Sequence, residues 1–353
     1  MVESVSTFNE LNKIDYLYIQ MILVTGGTGL VGSHLLVELT KENQSIRAIY
    51  RTENRILQTK QLFTYYFGEF WEKEWLKINW IQADLTDIEG LKIAFDGITH
   101  VYHTAGNVSF YARDFKKSVV INRHGTANIV NLCLKFSVIK LAYVSSTAAV
   151  GGDEKKPITE KDNWKKTPLT SGYSVSKYLA EKEVWRGIEE GLNAVIINPC
   201  VILGPGNWNE SSLTILKTAS TGLRFFPTGS NATVDARDVA VCLKKLMQST
   251  ICSERFLCIG SNQPIQVLLN EIADQTKVNR PKYAISKRVV RILAIITLPI
   301  FRLVGKRPPL SIDAIHSAYK MLSYESNKLK SSIDHSFYTL SETIDNSIRG
   351  RIL

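Results

Sequence analysis

The chain has 353 residues, 44% hydrophobic and 22% charged, long enough for one large α/β domain plus a smaller lobe and too apolar for wholesale disorder. Its formal net charge of +10 calls for an anionic partner. No arginine-rich tract or aromatic–basic motif accompanies that charge, which excludes nucleic acid in favour of an anionic cofactor or a membrane surface.

Residues 1–20 mix polar and apolar types without a basic-then-apolar signal pattern, and read as an appended, poorly ordered tail. The apolar run 22–24 predicts a buried strand, followed at once by the turn Thr25-Gly26-Gly27-Thr28-Gly29 and by Leu30, Val31, Leu35, Leu36, Val37 and Leu39 at helical spacing. Gly26, Gly29 and Gly32 stand where a chain must turn sharply, approach a pyrophosphate and let a helix pack on a strand. Gly27, Gly29 and Gly32 satisfy the generic dinucleotide fingerprint as well. A second strand, Ser45–Tyr50, ends at Arg51, with Arg55 following. An acidic residue there would suit the ribose of NAD, whereas a cation suits the 2′-phosphate of NADP. NADP(H) is therefore the preferred cofactor and NAD(H) the alternative.

Residues 54–75 read as an aromatic-rich helix that packs into the core, and 78–81 as a third strand leading to Ala83-Asp84-Leu85. Asp84 stands where a carboxylate can accept from an adenine amino group. A fourth strand, His100–His103, runs into the small-residue turn Thr104-Ala105-Gly106-Asn107, past which a cofactor can lie. Residues 115–136 are helical and contain Asn122, and a fifth strand over 141–145 leads to Ser146-Thr147. Strands alternating with helices across short loops predict a doubly wound parallel sheet, whose ligands sit beyond the carboxyl ends of its strands. Each polar signal named so far falls on that edge.

Residues 151–170 form a loop rich in lysine and proline, and a helix then opens at Gly172 and runs to about residue 190. A further strand, 194–197, ends at Asn198-Pro199. The division that follows is a dinucleotide-binding domain over 21–199 and a smaller, interleaved, mainly substrate-binding lobe over 200–353, with 234–248 packing back on the first. The five cysteines, Cys133, Cys200, Cys242, Cys252 and Cys258, lack ligand spacing and read as free core thiols in a reducing, cytoplasmic setting, with no metal site.

Tyr173 and Lys177 lie four apart, hence on one helix face. A free phenol titrates near ~10, too high for efficient proton transfer at neutral pH, and a neighbouring ammonium would lower it. A hydroxyl from Thr147, with Ser146 as the alternative, would orient a substrate carbonyl and stabilise charge on its oxygen.

With these motifs in hand, the chain resembles an extended short-chain dehydrogenase/reductase of the NAD-dependent epimerase/dehydratase superfamily. The resemblance runs from Thr25-Gly26-Gly27-Thr28-Gly29-Leu30-Val31-Gly32 through Asp84-Leu85, Asn122-x-x-Gly125-Thr126, Ser145-Ser146-Thr147 and Tyr173-x-x-x-Lys177 to Asn198-Pro199 and the stretch 234–240. Within the superfamily it is most similar to the dihydroflavonol 4-reductase-like branch, through the stretches 103–110 and 198–206 and through Arg51. Gly151 stands where many sugar-nucleotide epimerases carry a tyrosine.

The resemblance implies a Rossmann-type fold, Tyr173 as acid/base with Lys177 as its partner, Thr147 orienting the carbonyl and Asn122 supporting the site. It assigns cofactor contacts to Gly26, Thr28, Gly29, Leu30, Val31, Arg51, Asp84, Leu85, Thr104, Ala105, Gly106, Tyr173, Lys177 and Pro199, and substrate contacts to Asn107, Ser109 and Asn198. The expected activity is the interconversion of a small-molecule carbonyl and a secondary alcohol. A nucleotide-sugar epimerase or dehydratase with tightly bound NAD is the alternative, and a non-catalytic dinucleotide sensor or scaffold a third reading. A homodimer is the implied assembly.

Residues 287–307 remain. Their apolar centre, 292–301, is interrupted by Pro299 and bounded by Lys287, Arg288, Arg291, Arg302, Lys306 and Arg307, and is too short to span a bilayer as a helix. It reads as a helix capping the substrate pocket, as a weak contact with an anionic membrane surface, or as a partner-binding face.

Overall fold

The computed structural model describes residues 21–352 apart from Asn43, Asp153 and 304–310. The tail expected over 1–20 lies outside the described residues.

A seven-stranded, all-parallel sheet organises the chain. Its strands are β1 (Met21–Thr25), β2 (Ser45–Tyr50), β3 (Ile78–Gln82), β4 (His100–His103), β5 (Lys140–Val144), β6 (Ala194–Pro199) and, beyond strands of the smaller lobe, β9 (Glu254–Cys258). Their spatial order is β9-β6-β5-β4-β1-β2-β3. Order therefore reverses between β1 and β4, where the chain leaves β1 toward one side and returns at β4 on the other. In such sheets a crevice opens at that reversal, above the carboxyl ends of the strands.

The strands read as short apolar runs because both of their faces are covered. Ile22 and Val24 of β1, Tyr102 of β4, Ala142 and Val144 of β5, and Val195 and Ile197 of β6 point into one core layer. Leu23, Val101, Leu141, Tyr143, Ala194 and Ile196 point into the other. The first layer is closed by α1 (Leu30–Thr40), α2 (Glu53–Phe67) and α6 (Ala236–Gln248); α1 and α6 pack directly on each other. The second is closed by α3 (Ile88–Phe95), α4 (Gly125–Lys135) and α5 (Gly172–Glu189).

The long helix expected over 54–75 breaks after Phe67. Gly68 takes φ +55°, a left-handed conformation, and the aromatics continue in a short 3-10 turn and a separate helix, Trp71–Trp75. The helix expected over 115–136 is continuous but carries a five-residue π segment, Val120–His124, which holds Asn122. Such wide turns recur at functional sites because they re-aim a side chain.

The smaller lobe contributes β7 (Val201–Leu203), β8 (Ser230–Asp235) and β10 (Ser261–Pro264), ordered β10-β8-β7, and its own core around Leu203, Trp208, Leu216, Leu269 and Ile344. Strand β9, which lies far past residue 199, belongs to the main sheet, and β6 pairs with it from Val195 to Pro199. The two parts are interleaved. Near the C-terminus α9 (Leu340–Arg349), which follows α7 (Ile265–Gln275) and α8 (Lys287–Leu303), opens on a capping box of Thr339 and Glu342. Beyond α9, Arg351 and Ile352 pair with Gly206 and Asn207. Pro299 does not end α8, which runs on to Leu303.

His103, at the end of β4, is wholly buried between Thr25 Oγ1 at 2.6 Å and Thr126 Oγ1 at 3.0 Å. Burial holds its imidazole neutral, pushing its pKa from 6.5 down to about 3, with the Lys177 charge acting in the same direction. The unfolded chain takes up a proton below pH 6.5 that the folded chain refuses, so this site's contribution is whole above pH 6.5 and declines as pH falls toward 3. Replacing it, His103→Gln, should flatten the acid limb of unfolding free energy against pH by about 1 kcal/mol per pH unit, measured by urea titrations between pH 6 and pH 4. An unchanged slope would mean that His103 is not titrating alone there.

Candidate active site

The glycine turn is pressed against the end of β4. Gly26 takes φ +73°, and a Cβ on it would sit 2.6 Å from the Ala105 Cα. A Cβ on Gly32 would sit 2.1 Å from the Gly26 carbonyl oxygen. No side chain fits either position. The turn is closed by Gly29 N–H donating to Gly26 O at 2.9 Å, and Thr104 Oγ1 donates to Thr25 O at 2.8 Å from the far side. Helix α1 then starts at Leu30 with no side chain capping it and no acidic residue in its first turn. Its N-terminal amides are thus left for an anion, where the helix dipole also favours negative charge.

Above this turn lies a cleft of about 570 Å³. Gly26, Thr28, Gly29, Leu30, Val31, Arg51, Asp84, Leu85, Thr104, Ala105, Gly106, Asn107, Tyr173 and Lys177 all line it, so most of the predicted cofactor residues come together. An open helix N-terminus, a turn that only glycine can make and a long cleft fit a dinucleotide. Pro199 is buried in β6 and does not line that cleft.

Arg51 is exposed at the rim, with Nη1 4.0 Å from Asp84 Oδ2. Asp84 accepts from the Thr86 amide at 2.9 Å and the Thr86 hydroxyl at 2.6 Å. Burial raises its pKa, but those bonds and the Arg51 charge outweigh it, leaving the carboxyl below its ordinary value. Arg55 is tied to Glu210 of the smaller lobe across the cleft.

At the inner end, α5 brings up Tyr173 and Lys177. The helix is capped by the Ser171 hydroxyl, which accepts from Ser174 N–H at 3.1 Å. Lys177 is 5% exposed, and its Nζ donates to Val144 O at 2.8 Å and to the Tyr143 hydroxyl at 3.1 Å while lying 4.8 Å over the Tyr143 ring. Burial pushes its pKa down to about 8, against the opposing pull of the Glu181 carboxylate. Tyr173 is half-buried, with the Phe110 ring 5.5 Å away. Burial raises its pKa, and a hydrogen bond with Ser146 works the other way. The expected lowering of the phenol by Lys177 is therefore not the governing effect here, because the ammonium is aimed at the β5 strand end.

Ser146, rather than Thr147, is the hydroxyl paired with the phenol. Thr147 is hydrogen-bonded with Tyr324 of the smaller lobe. Asn122 is 2% exposed and spends all three of its bonds on scaffolding: its Oδ1 accepts from Asn107 N–H at 2.6 Å, and its Nδ2 donates to Asn107 O at 3.0 Å and to Ser176 Oγ at 2.9 Å. It fixes the turn 106–107 against α5. Asn107 lines the cleft and donates to Ser118 Oγ at 2.9 Å. Ser109 donates to Asp114 Oδ2 at 2.7 Å.

Asn198, expected at the substrate, is fully buried and cannot touch one. Its Nδ2 donates to Ser146 O at 2.9 Å and Glu181 Oε2 at 2.7 Å, so it holds the Ser146 segment from behind. The sequence reading passed over Glu181, which also accepts from Ser145 Oγ at 2.6 Å and pairs with Arg255. The signal was present: Tyr173, Lys177 and Glu181 repeat every fourth residue on one face. Tyr143 and Tyr324 carried no comparable pattern. Among the described residues no group of three or more His, Cys, Asp or Glu could hold a metal ion.

The model of the NAD dependent epimerase/dehydratase family matches residues 22–251. A protein named sterol demethylase protein B, from Methylococcus capsulatus, is 28% identical over 284 residues, covering 79% of this chain and 82% of that protein. A putative dihydroflavonol 4-reductase from a Synechocystis strain is 26% identical over 325 residues, covering 86% and 87%. The solved structure of a yeast methylglyoxal/isovaleraldehyde reductase complexed with NADPH superposes with a TM-score of 0.71 over 94% of this chain and 98% of that one, at 19% identity, a likeness of fold. With a family match across both the glycine turn and the Tyr173–Lys177 helix, the chain belongs to the NAD dependent epimerase/dehydratase family, whose members use an NAD(P) dinucleotide.

Proposed function

We propose that the protein is an NADP(H)-dependent oxidoreductase that interconverts a carbonyl and a secondary alcohol. The observation that carries this reading is the Tyr173 phenol, hydrogen-bonded with Ser146 at the inner end of a dinucleotide-shaped cleft, one helical turn from a buried lysine. A nicotinamide dinucleotide held in the cleft lined by Gly26, Thr104, Ala105 and Lys177 would supply or accept the hydride. The protein's own part is the proton. Burial keeps Tyr173 protonated at neutral pH, so its Oη–H is ready to be given to a carbonyl oxygen. Ser146 Oγ, next to that phenol, offers a hydrogen bond to the same oxygen as charge builds on it. Lys177, whose ammonium is bonded to Val144 and Tyr143 and not to the phenol, acts on the phenolate left behind only as a positive charge one helical turn away. Asn122 keeps the turn 106–107 in register with α5. The substrate needs a polar carbonyl end at Tyr173 and an apolar body beside Phe110.

One observation weighs against a nucleotide-sugar epimerase. Gly151 takes φ +85°, and a Cβ there would lie 2.6 Å from the Trp164 Cα, so the tyrosine many such epimerases carry at this position has no room. The intact Ser146, Tyr173 and Lys177 likewise weigh against a non-catalytic sensor. Arg51, exposed at the rim beside Asp84 and without an acidic residue ending β2, supports the 2′-phosphate as its partner.

Tyr173→Phe should lower kcat for carbonyl reduction by about 10²-fold or more while leaving the Kd for NADPH within about threefold, as loss of a proton donor requires. Full turnover by that variant on an identified substrate would end the assignment. In the same assay Ser146→Ala should cost about 10²-fold and Thr147→Val markedly less; the reverse order would return the orienting role to Thr147.

Cofactor preference is read by isothermal titration. Arg51→Ala should weaken NADPH by roughly tenfold, the loss of one charge-assisted contact, and leave NADH unchanged. Equal losses for both would remove the 2′-phosphate from the argument.

Lys177 is charged below about pH 8 and loses that charge above it. The kcat/KM for reduction should thus be level through neutrality and fall as pH rises through about 8. A profile still level at pH 10 would mean that the Lys177 charge does not serve the reaction.

A further inference from the structure

Helix α8 lies against the smaller lobe with one face and offers a second, apolar face to solvent. Val290, Ala294, Thr297 and Phe301, spaced by four, three and four, are partly buried, and α8 packs on the short helix Ile312–Ala318. Val289, Ile292, Leu293 and Ile296, at i, i+3, i+4 and i+7, form a stripe on the other side, with Ile292 56% and Ile296 61% exposed. Beside the helix base, the Phe225 and Tyr283 rings, 51% and 62% exposed, lie 6.0 Å apart on the paired strands Phe225–Phe226 and Tyr283–Ala284. Tyr283 thus stands exposed four residues before α8 begins.

The charge carried by this segment itself has one sign. Between Asp274 and Asp313 the sequence has no acidic residue and nine cationic ones: Lys277, Arg280, Lys282, Lys287, Arg288, Arg291, Arg302, Lys306 and Arg307. Arg280 is paired with Asp274, and Lys287 donates to His316 Nδ1 at 2.7 Å. Arg288 and Arg291 are exposed along the edge of the stripe. Among the described residues no helix is long and apolar enough to cross a membrane.

We propose that this face docks the protein on an anionic lipid bilayer, with the stripe Val289–Ile292–Leu293–Ile296 lying in the headgroup–acyl boundary and Arg288 and Arg291 against lipid phosphates. An apolar stripe flanked by cations, on a helix that lies along a surface, is the physical signature of interfacial binding. A water-soluble protein partner would more often be met by charges of both signs, which this segment lacks. The docked face also adjoins the candidate site. The helix Ile312–Ala318, on which α8 packs, carries Asp313, whose carboxylate accepts from the Gly172 amide next to Tyr173. Docking itself stands apart from the reaction proposed above, and its test reads lipid binding alone.

The full chain is sedimented with vesicles of phosphatidylcholine alone and of phosphatidylcholine mixed with phosphatidylglycerol. Binding to the anionic vesicles should exceed binding to the neutral ones by on the order of tenfold and fall as salt is raised. The pairs Ile292→Ser with Ile296→Ser, and Arg288→Glu with Arg291→Glu, should each remove most of it, with melting temperature and NADPH affinity as controls for folding. These positions are exposed, so both variants should pass that control; should one pair fail it, the other decides. Equal partition into both vesicle types, or variants that bind like the parent, overturn the proposal. So does light scattering in which the isoleucine pair turns a dimer into a monomer while vesicle binding stays as it was, because the stripe would then be a contact between copies.

Discussion

A buried ammonium ties together the strand ends on which the crevice depends. Lys177 has almost no contact with water, and stripping a cation of its hydration is costly unless acceptors replace the lost shell. The acceptors found are the Val144 carbonyl and the Tyr143 hydroxyl, both on β5. Tyr143 is in turn hydrogen-bonded with Thr126 of α4, Thr126 with His103 of β4, and His103 with Thr25 of β1. One charge thereby specifies the chemistry of a line of residues across β5, β4 and β1 at the carboxyl edge. His103 stays neutral in that line because burial disfavours its charge and the Lys177 cation acts in the same direction. The strand ends that flank the crevice are consequently locked together by a polar chain as well as by the apolar layers above and below the sheet.

A second layer of polar contacts locates the catalytic candidates without touching a ligand. Glu181 lies one turn beyond Lys177 on α5 and gathers Ser145, Asn198 and Arg255 around its carboxylate. Arg255 extends the cluster outward, donating to the carbonyls of Glu160 and Asp162 and so fastening the 151–170 loop to β9. The Ser146 hydroxyl thus gets its position from a strand end held by Asn198, and Tyr173 from a helix whose next two turns are anchored by buried charge. Preorganisation of this kind is what lets a hydroxyl pair act on a carbonyl without reorganising first.

What could be read from the chain in advance followed from local physics. The glycine turn, the alternation of strands and helices, and the Tyr173–Lys177 spacing are each decided within about ten residues, and all three appear where the pattern put them. The assignments that moved depended on contacts between distant segments. Asn198 reads as a polar residue at a strand end, and only the tertiary packing shows that Glu181 and Ser146 turn it inward. Ser146 and Thr147 are adjacent and chemically alike, and the choice between them as the phenol's partner was made by Tyr324, a residue 177 positions away, which takes up the Thr147 hydroxyl. Likewise β9 joins the main sheet from within the second half of the chain, because a parallel strand can be inserted wherever a crossover delivers it.

The smaller lobe was the least legible part for the same reason, and its construction bears on specificity. Its strands are two to six residues long, and it closes the cleft with pieces from widely separated places: Ile202, Glu210, Leu213 and Ile352 all reach the same wall. No periodic pattern marks such a wall. The main sheet is bound by the geometry of a dinucleotide and by a buried lysine that tolerates few neighbours. Glu210 of that wall pairs with Arg55, and Leu30 at the start of α1 packs on the lobe core that holds Leu213, so the lobe meets the main sheet's side of the cleft at the glycine turn as well. The outer wall of the cleft is therefore built from the segments that local sequence rules describe least well, while the glycine turn and the Tyr173–Lys177 helix lie in those they describe best.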